Sequence, residues 1–245
     1  MSRVEVFADA AGVARAAADA FEALLRERGK DGAVLGLATG STPLPLYREL
    51  VRRHREEGLP FAHATSFNLD EYWPIAPDHP RSFARFMDEH LFDHLDLPAA
   101  RRHIPSGLTP VPGLAAACQD YEAAIAAAGG IDLQVLGIGV NGHIGFNEPG
   151  ALPGSRTRMV ELDDSTRARA RGDFGGEEVP ARAVTMGLAT ILEARRILVL
   201  ATGPDKAAAV AAALDGPATT ALPASWLQRH PGVTWLLDAP AAAAR

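Results

Sequence analysis

Short apolar runs alternate along the chain with longer segments that have helical periodicity. The runs predict strands at Val4–Phe7, Ala33–Ala38, Ala64–Asn68, Leu133–Ile138, Arg196–Ala201 and Val233–Leu237. The periodic segments predict helices at Ala11–Arg28, Leu44–Arg55, Ser82–His94, Leu114–Ala128 and Pro204–Leu214. This alternation is typical of an α/β fold with an open, mostly parallel twisted sheet and helices on both faces, a Rossmann-like three-layer arrangement.

One segment breaks the alternation. The residues from Gly150 to Pro180 are rich in glycine, proline and arginine and have little apolar periodicity. We expect them to form either a mobile lid or a plain surface excursion. No long polar linker interrupts the 245 residues, which can bury one large core. Residues 1–245 are therefore predicted to form a single domain, with residues 150–180 as its candidate lid.

Composition narrows the classes of partner. The formal net charge of −6 and the pI near 5.7, without a basic stripe, argue against nucleic-acid binding. Cys118 is the single cysteine, which excludes an intrachain disulfide and fits a reducing compartment. No run reaches the roughly 18 apolar residues that a membrane span needs. We therefore expect a cytoplasmic protein that binds a small molecule and contacts neither membrane nor nucleic acid.

The richest candidate site follows the strand predicted at 133–138. The sequence at 137–149 reads Gly-Ile-Gly-Val-Asn-Gly-His-Ile-Gly-Phe-Asn-Glu-Pro. Its glycines allow a sharp turn at the carboxyl end of the strand, where open α/β sheets bind ligands. A carboxylate and an amide can fix the tautomer of an imidazole, so Glu148 and Asn141 beside His143 indicate proton transfer. A metal site is disfavoured because the spacing of His143 and Glu148 matches no zinc pattern.

Two further strand-end loops offer groups for an anion. The small-residue turn at 35–43 contains Gly40, Ser41 and Thr42 just before a predicted helix. Its backbone N–H groups and hydroxyls could hold a phosphate, and a simple Ser/Thr helix cap is the alternative. Lys206 lies in the first turn of another predicted helix, where a cation is unfavourable unless an anion binds beside it. A solvated lysine is the alternative there.

Adjacent carboxylates, Asp70 and Glu71, follow the strand predicted at 64–68. Neighbouring strand residues point to opposite faces, so we expect one to face a cleft and the other to make a structural hydrogen bond. A carboxyl group with a pKa near its usual value of about 3.9 would need partial burial to serve as a general base. Because all these loops follow strands, together they predict one site for an anionic small molecule.

Four blocks of sequence make the chain similar to the glucosamine-6-phosphate deaminase family, over about Ala33 to Leu237. The blocks are 35–43, 67–72, 137–149, and 155–158 with 183–187. The third is the most specific, because the related 6-phosphogluconolactonases keep its Gly-His but lack the Phe-Asn-Glu-Pro continuation. The resemblance implies conversion of glucosamine 6-phosphate and water to fructose 6-phosphate and ammonia, with no metal or organic cofactor.

The resemblance also implies roles for the catalytic candidates. His143, oriented by Glu148 and Asn141, would assist opening of the sugar ring, and Asp70 would move the C2 proton towards C1. Many members of the family have Asp where this chain has Asn141. Asn141 is therefore expected to orient its neighbours and not to carry a proton.

For the phosphate group, the resemblance implies a set of ligands at the other end of the site. An arginine of the lid segment would contribute, and the family pattern, shifted here by one residue, indicates Arg171. The remaining ligands would be Gly40, Ser41, Thr42 and Lys206.

Two other functions remain open at this stage. A sugar-phosphate-binding regulator could share the fold, but it would need a DNA-binding module. An enzyme of the same class could prefer galactosamine 6-phosphate, which differs in the orientation of one hydroxyl at C4. The predicted oligomeric state is a monomer or a small homo-oligomer.

Overall fold

Two β-sheets with surrounding helices make up the computed structural model, which describes residues 3–244. Residues 1, 2 and 245 of the predicted single domain lie outside the described residues. The strands are β1 (Arg3–Phe7), β2 (Val34–Leu37), β3 (Thr65–Asn68), β4 (Asp70–Trp73), β5 (Arg102–His103), β6 (Leu133–Leu136), β7 (Arg158–Glu161), β8 (Arg182–Thr185), β9 (Arg196–Ala201) and β10 (Val233–Asp238). The α-helices are α1 (Ala10–Arg28), α2 (Leu44–Glu57), α3 (Phe83–His90), α4 (Val111–Ala127), α5 (Asp164–Ala170), α6 (Leu188–Leu192) and α7 (Ala207–Asp215).

The larger sheet has seven strands in the order β1-β10-β9-β6-β2-β3-β5, and its paired strands are parallel. From β2 the chain adds β3 and β5 on one side, and it later returns to place β6 on the other side of β2. The strand order therefore reverses between β2 and β6. Loops that leave two such strands diverge at the carboxyl edge of the sheet and open a crevice, which is where α/β sheets bind ligands.

The central strands are buried on both faces, as near-continuous apolar runs in a parallel sheet require. All four residues of β2 and all four of β6 are buried. Gly36 in β2 gives room to Gln134 in β6, because a Cβ at Gly36 would lie 2.1 Å from Oε1 of that glutamine. The buried amide of Gln134 donates through Nε2 to the carbonyl of Val135 at 2.9 Å. The place between β2 and β6 where the strand order reverses, the switch point of the sheet, is thus tightly packed.

The smaller sheet has three antiparallel strands in the order β4-β8-β7 and begins where β3 ends. Leu69 joins the two sheets. Its N–H donates to the carbonyl of Leu37 at 2.9 Å, and its carbonyl accepts from the N–H of Met186 at 2.7 Å. Since β4 starts at the next residue, the side chain of Asp70 is held at the junction of the sheets.

The predicted mostly parallel α/β fold is confirmed. All the predicted strands and helices are present, although their ends differ by a few residues and the helix predicted at 82–94 stops at His90, before a 3-10 turn at Phe92–His94. The strands β4, β5, β7 and β8 and the helices α5 and α6 were not predicted. Among residues 3–244 no helix is long and apolar enough to cross a membrane.

The segment from Gly150 to Pro180 contains more regular structure than its sequence indicates. It carries β7, which pairs with β8, and the helix α5. Two of its apolar side chains, Phe174 and Val179, are buried and pack in one cluster with Tyr72 and Phe146. By contrast, α5 itself has no buried residue. The excursion is therefore anchored at its ends, whereas its helix lies on the surface.

Asp132, just before β6, gives a test of what holds the sheet. Its buried carboxylate accepts from the N–H of Val34 at 2.9 Å and pairs with Arg28 at 3.1 Å and Arg195 at 2.8 Å. Asp132→Ala would leave a buried N–H without its acceptor, so we expect the free energy of unfolding in urea to fall by about 1–3 kcal/mol. Asp31→Ala, at an exposed carboxylate, is the control, and equal losses in the two variants would contradict this role.

Candidate active site

A cleft of about 330 Å³ opens at the switch point between β2 and β6. Its walls are the loop after β2, the turn after β6 and one side of α5, and the first residue of β4 lies among them. Most of the predicted site residues line it: Gly40, Ser41, Thr42, Asp70, Asn141, His143 and Lys206. Glu148 lies directly behind Asn141 and His143 and contacts both. The imidazole of His143 and the carboxyl group of Asp70 therefore share one cleft.

Glycines shape the turn that carries His143. The N–H of Gly139 donates to the carbonyl of His143, and the N–H of Gly142 donates to the carbonyl of Gly139, both at 2.9 Å. Gly142 has a φ of 80°, a conformation that favours glycine. A Cβ at Gly139 would lie only 2.3 Å from Cε1 of His143. The imidazole thus lies directly against the backbone of Gly139, where only a residue without a side chain fits.

The imidazole of His143 contacts the carboxylate of Glu148, with Nδ1 and Oε2 3.3 Å apart. The ring nitrogen is not aligned for a hydrogen bond in this arrangement, so the contact is electrostatic. Asn141 ties the two residues together. Its Nδ2 donates to Oε2 of Glu148 at 2.9 Å, and its Oδ1 accepts from the N–H of His143 at 3.2 Å. These two hydrogen bonds are compatible with the orienting role predicted for Asn141.

Glu148 receives a further hydrogen bond from outside the turn. The hydroxyl of Thr166 in α5 donates to its Oε1 at 2.5 Å. Burial alone would raise the pKa of Glu148, but the contact and charge of the His143 imidazole and the hydrogen bonds from Thr166 and Asn141 outweigh it and hold the pKa below its ordinary value. Glu148 is therefore a persistent anion beside the imidazole.

Asp70 has the opposite environment. Its side chain lies beside Gly145, where a Cβ would be 3.2 Å from Oδ2, and the residue is only 5% exposed. Burial raises the pKa of Asp70 to about 8, and the nearby carboxylate of Glu71 adds to the rise. The N–H of Phe146 and the hydroxyl of Thr185, which lie close to the carboxyl group, offset only part of the rise in its pKa. A carboxyl group whose pKa lies near the working pH can both accept and return a proton.

Glu71 points away from the cleft and into structure. Its carboxylate accepts the backbone N–H groups of Tyr72, Phe83 and Ala84 at 2.8–2.9 Å. Two of these N–H groups belong to the first turn of α3, where an anion is favourable. Burial raises the pKa of Glu71 to about 7 in spite of these donors. The prediction that one carboxylate of the pair faces the cleft and the other makes structural hydrogen bonds is confirmed.

The other end of the cleft has the groups that suit a phosphate. α2 begins after Pro43 without a side-chain cap, so Ser41 and Thr42 do not serve as the cap that the sequence left as an alternative. The turn before it passes through Gly40 with a φ of 99°. Lys206 lies at the start of α7 and is mostly buried, with Nζ 3.4 Å from an oxygen of Asp205. Two helix amino termini and a cation therefore meet here, a combination that favours anions.

The arginine at this end is Arg169, where the sequence indicated Arg171. Arg169 lines the cleft, with Nη1 3.9 Å from Oδ2 of Asp205. Arg171 follows the last residue of α5 and lines a separate depression with Arg167 and residues 176–179. Side chains two residues apart on a helix point about 200° away from each other, so these two arginines cannot share one face. The placement of Arg171 at the cleft is corrected accordingly.

Sequence reasoning missed two residues of α5, Thr166 and Arg169. They are one helical turn apart and both line the cleft. Their three-residue spacing indicates a shared face only if the segment is known to be a helix. Since α5 has no buried residue, no apolar stripe marked the helix in the sequence.

A larger groove, of about 960 Å³, lies between α4 and β7. Its lining is mainly apolar and includes two acids. Glu193 pairs with Arg156, and Glu122 accepts the N–H and hydroxyl of Thr157 and the hydroxyl of Thr190. Both carboxylates therefore hold neighbouring side chains in place. The smaller cleft has an imidazole, which the groove lacks, together with the carboxyl group of Asp70, and it is therefore the candidate active site.

A parallel α/β sheet that places a buried carboxyl group, an imidazole–carboxylate pair and a lysine at its switch point has the groups that an enzyme needs to move protons on a small anionic substrate. The chain belongs to the family of glucosamine-6-phosphate isomerases and 6-phosphogluconolactonases, whose model matches residues 8–235. The family expected from the sequence is confirmed.

Individual relatives are similar over most of their length. The chain is 53% identical over 216 residues to a glucosamine-6-phosphate deaminase of Rhodopirellula baltica, covering 88% of this chain and 85% of the relative. It is 49% identical to glucosamine-6-phosphate deaminase 2 of Bacillus subtilis, covering 90% of each. Among solved structures, a monomeric glucosamine-6-phosphate deaminase superposes with a TM-score of 0.95 at 42% identity, over 99% of this chain and 100% of that one. The 6-phosphogluconolactonase of Leishmania guyanensis shares the fold, with a TM-score of 0.78 at 23% identity over 98% and 97% of the chains.

The buried carboxyl group of Asp70 should lower the stability of the protein. With its pKa raised to about 8, it keeps a proton that the unfolded chain releases above about pH 4. Stability should therefore fall as pH rises between these two values. Asp70→Asn removes the ionisation, so we expect the variant to be more stable at pH 8–9, by about 1–2 kcal/mol.

Thermal unfolding across pH 5–9 measures this difference. Asp173→Asn, which changes an exposed carboxylate lining the same cleft, is the matched control and should leave the pH dependence as it is. A wild-type protein and an Asp70→Asn variant with parallel stability curves would show that the carboxyl group is not buried at this energetic cost.

Proposed function

We propose that this protein converts glucosamine 6-phosphate and water into fructose 6-phosphate and ammonia. The observation that carries the proposal is the shared cleft: Asp70 and His143, with Glu148 behind it, face a space whose other end holds an anion-binding turn and Lys206. The relatives of nearly the same length that carry the name glucosamine-6-phosphate deaminase support the same substrate.

Ring opening is the first step, and it requires proton transfer between two oxygens of the sugar. The bond between C1 and the ring oxygen breaks as the C1 hydroxyl loses a proton and the ring oxygen gains one. His143 is the group that transfers this proton. Because the pKa of Glu148 is held low, its carboxylate stays ionised and stabilises the imidazolium that forms. Asn141 holds the pair in position.

Isomerisation and deamination follow on the open-chain aldehyde. Ionised Asp70 removes the proton from C2 while the C1 oxygen takes up a proton, which gives an enolamine with a double bond between C1 and C2. Return of the proton from Asp70 to C1 leaves an iminium at C2. Water adds to that carbon and ammonia leaves, which produces the ketone. These steps need only proton transfer and water, so we propose that neither a metal nor an organic cofactor is required.

The phosphate group anchors the substrate at the far end of the cleft. Its oxygens accept from the turn at Gly40, from the hydroxyls of Ser41 and Thr42 and from Lys206, and Arg169 takes the place first assigned to Arg171. Charge-assisted hydrogen bonds of this kind are stronger than neutral ones and fix the position of the reacting carbons.

The remaining predictions concern assembly and location. The relative with the TM-score of 0.95 is described as monomeric, which favours a monomer over a small homo-oligomer for this chain. A cytoplasmic location is in keeping with a metabolic sugar-phosphate substrate.

Turnover should follow the ionisation of Asp70. Incubation with glucosamine 6-phosphate should release ammonia and fructose 6-phosphate in equal amounts. Since the base must be ionised and its pKa is about 8, kcat/KM should rise about tenfold per pH unit up to about pH 8 and then level off. Asp70→Asn should bind inorganic phosphate as the wild type does but release no ammonia.

Galactosamine 6-phosphate is the matched substrate control, because the orientation of its C4 hydroxyl leaves the reacting C1 and C2 unchanged. Comparison of kcat/KM for the two epimers decides which sugar is preferred. Binding of both sugars without release of ammonia at any pH between 6 and 9 would refute an enzymatic role and favour a sugar-phosphate sensor.

The two lid arginines provide a paired test of the phosphate end. Arg169→Met should raise KM for glucosamine 6-phosphate about tenfold, because it removes one charge-assisted hydrogen bond. Arg171→Met, two residues further along but outside the cleft, should leave KM within about twofold of the wild type. The reverse result would restore Arg171 to the phosphate site. Steady-state kinetics at pH 8 makes the comparison.

A further inference from the structure

The helix α5 places two polar side chains at the two ends of the cleft. Thr166 and Arg169 are three residues apart and therefore lie on one face of the helix. Thr166 donates to the carboxylate of Glu148 at the imidazole end, and Arg169 lines the cleft near Asp205 and Lys206 at the phosphate end. One short rigid element thus touches both the proton-transfer groups and the phosphate-binding groups.

Glu148 depends on donors that come from two different elements. Asn141, in the same turn, donates to Oε2, and Thr166, on α5, donates to Oε1. Without the Thr166 hydroxyl, Oε1 would lose this donor in a partly buried place, and the carboxylate would be free to rotate away from the imidazole. The contact between Oε2 and Nδ1 of His143 is already long, at 3.3 Å, so a small rotation is enough to break it.

Polar contacts set much of the position of α5. The helix has seven residues and none is buried, and among them only Ala170, at the carboxyl end, packs against the cluster that contains Phe174 and Val179. Neither its length nor apolar packing therefore holds the turn that carries Thr166 firmly. At the phosphate end, Oδ2 of Asp205 lies 3.9 Å from Arg169 and 3.4 Å from Lys206. A carboxylate at these distances holds the arginine only weakly, because the groups are largely exposed to water. A phosphate between the two cations would hold Arg169, and with it the helix, more tightly.

We propose that Thr166 is a positioning residue that couples occupancy of the phosphate end, through Arg169 and α5, to the orientation of Glu148 beside His143. The coupling rests on the proposed function, because it takes the phosphate group of the substrate as the ligand that Arg169 binds. Its consequence is selective: a phosphorylated sugar sets the imidazole–carboxylate pair for ring opening, whereas the same sugar without phosphate leaves α5 loosely held.

The first arm of the test removes only the hydroxyl. Thr166→Val keeps the branched shape, and we expect kcat to fall about tenfold while KM changes little, since a charge-assisted hydrogen bond to the catalytic carboxylate is lost and the phosphate ligands remain. Thr166→Ser restores the donor and should recover most of the wild-type kcat. A Thr166→Val enzyme with wild-type kcat, or a serine variant no better than the valine one, would overturn the role of the hydroxyl.

A double-mutant cycle tests the coupling itself. If Arg169 acts on Glu148 through Thr166, then Arg169→Met should lower kcat as well as raise KM, and removal of the Thr166 hydroxyl in the Arg169→Met background should cost less kcat than it does in the wild type. The combined variant should then lose less kcat than the product of the two single losses. Losses that multiply would show that the two side chains act independently and would contradict the coupling.

A third arm needs no turnover and uses inorganic phosphate as the probe. The ring nitrogen signals of His143, identified by their loss in His143→Gln, should shift on phosphate addition in the wild type and shift far less in Thr166→Val. Equal shifts in the two proteins would contradict the coupling even if the wild type were inactive. An inactive wild type, on the other hand, would refute the proposed function and leave this arm to decide the inference.

Discussion

The candidate site depends on the burial of one carboxyl group, that of Asp70, where the large parallel sheet ends and the small antiparallel sheet begins. Leu69 fixes this junction through its hydrogen bonds to both sheets, so the following residue has no freedom to turn towards water. Burial of a charge is costly unless the group stays protonated, and that is why the pKa of Asp70 rises to about 8. The fold thereby holds a proton acceptor that is matched to neutral pH.

The pKa of the second carboxylate of the site, that of Glu148, is shifted in the opposite direction. Glu148 is also partly buried, yet its donors are numerous enough to hold its pKa below the ordinary value. Two acids in one site whose pKa values are moved in opposite directions can take different tasks at the same pH. In the proposed reaction, Asp70 exchanges protons, and Glu148 remains an anion that supports the charge of the imidazole. The division follows from hydrogen bonds and burial, and no difference in the type of acid is needed.

All strands of the large sheet except the two-residue β5 were predictable, because they satisfy a local rule. β2 and β6 are buried on both faces and read as continuous apolar runs, and the glycine-rich turns after them mark the ligand-binding edge. The small sheet was not predicted, because the sequences of β4 (Asp-Glu-Tyr-Trp) and β7 (Arg-Met-Val-Glu) have no clear strand pattern. These strands form because Leu69 and the pairing with β8 hold them, and that information lies far away in the sequence.

The residues of the candidate site also differ in whether the sequence alone could place them. Residues in strand-end turns, such as His143 and Glu148, could be placed from the sequence, since the turn itself fixes where they lie. The choice between Arg169 and Arg171 could not be made from the sequence, because it depends on which face of α5 lies towards the cleft. In a helix without an apolar stripe, the sequence does not indicate which face lies inward.

Because α5 is only lightly held, substrate binding must also fix the position of this helix. Local elements with few buried contacts open at little cost, so part of the interaction with a phosphate is used to fix α5 and is not seen as affinity. The ordering is productive only if the fixed helix contributes to the chemistry, and the hydrogen bond from Thr166 to Glu148 is the contact through which it can. Remote binding energy is in this way converted into the orientation of a catalytic pair. A more tightly packed helix would bind substrate more firmly but would orient Glu148 whether or not the phosphate was present, and the site would then distinguish sugar phosphates from free sugars by affinity alone.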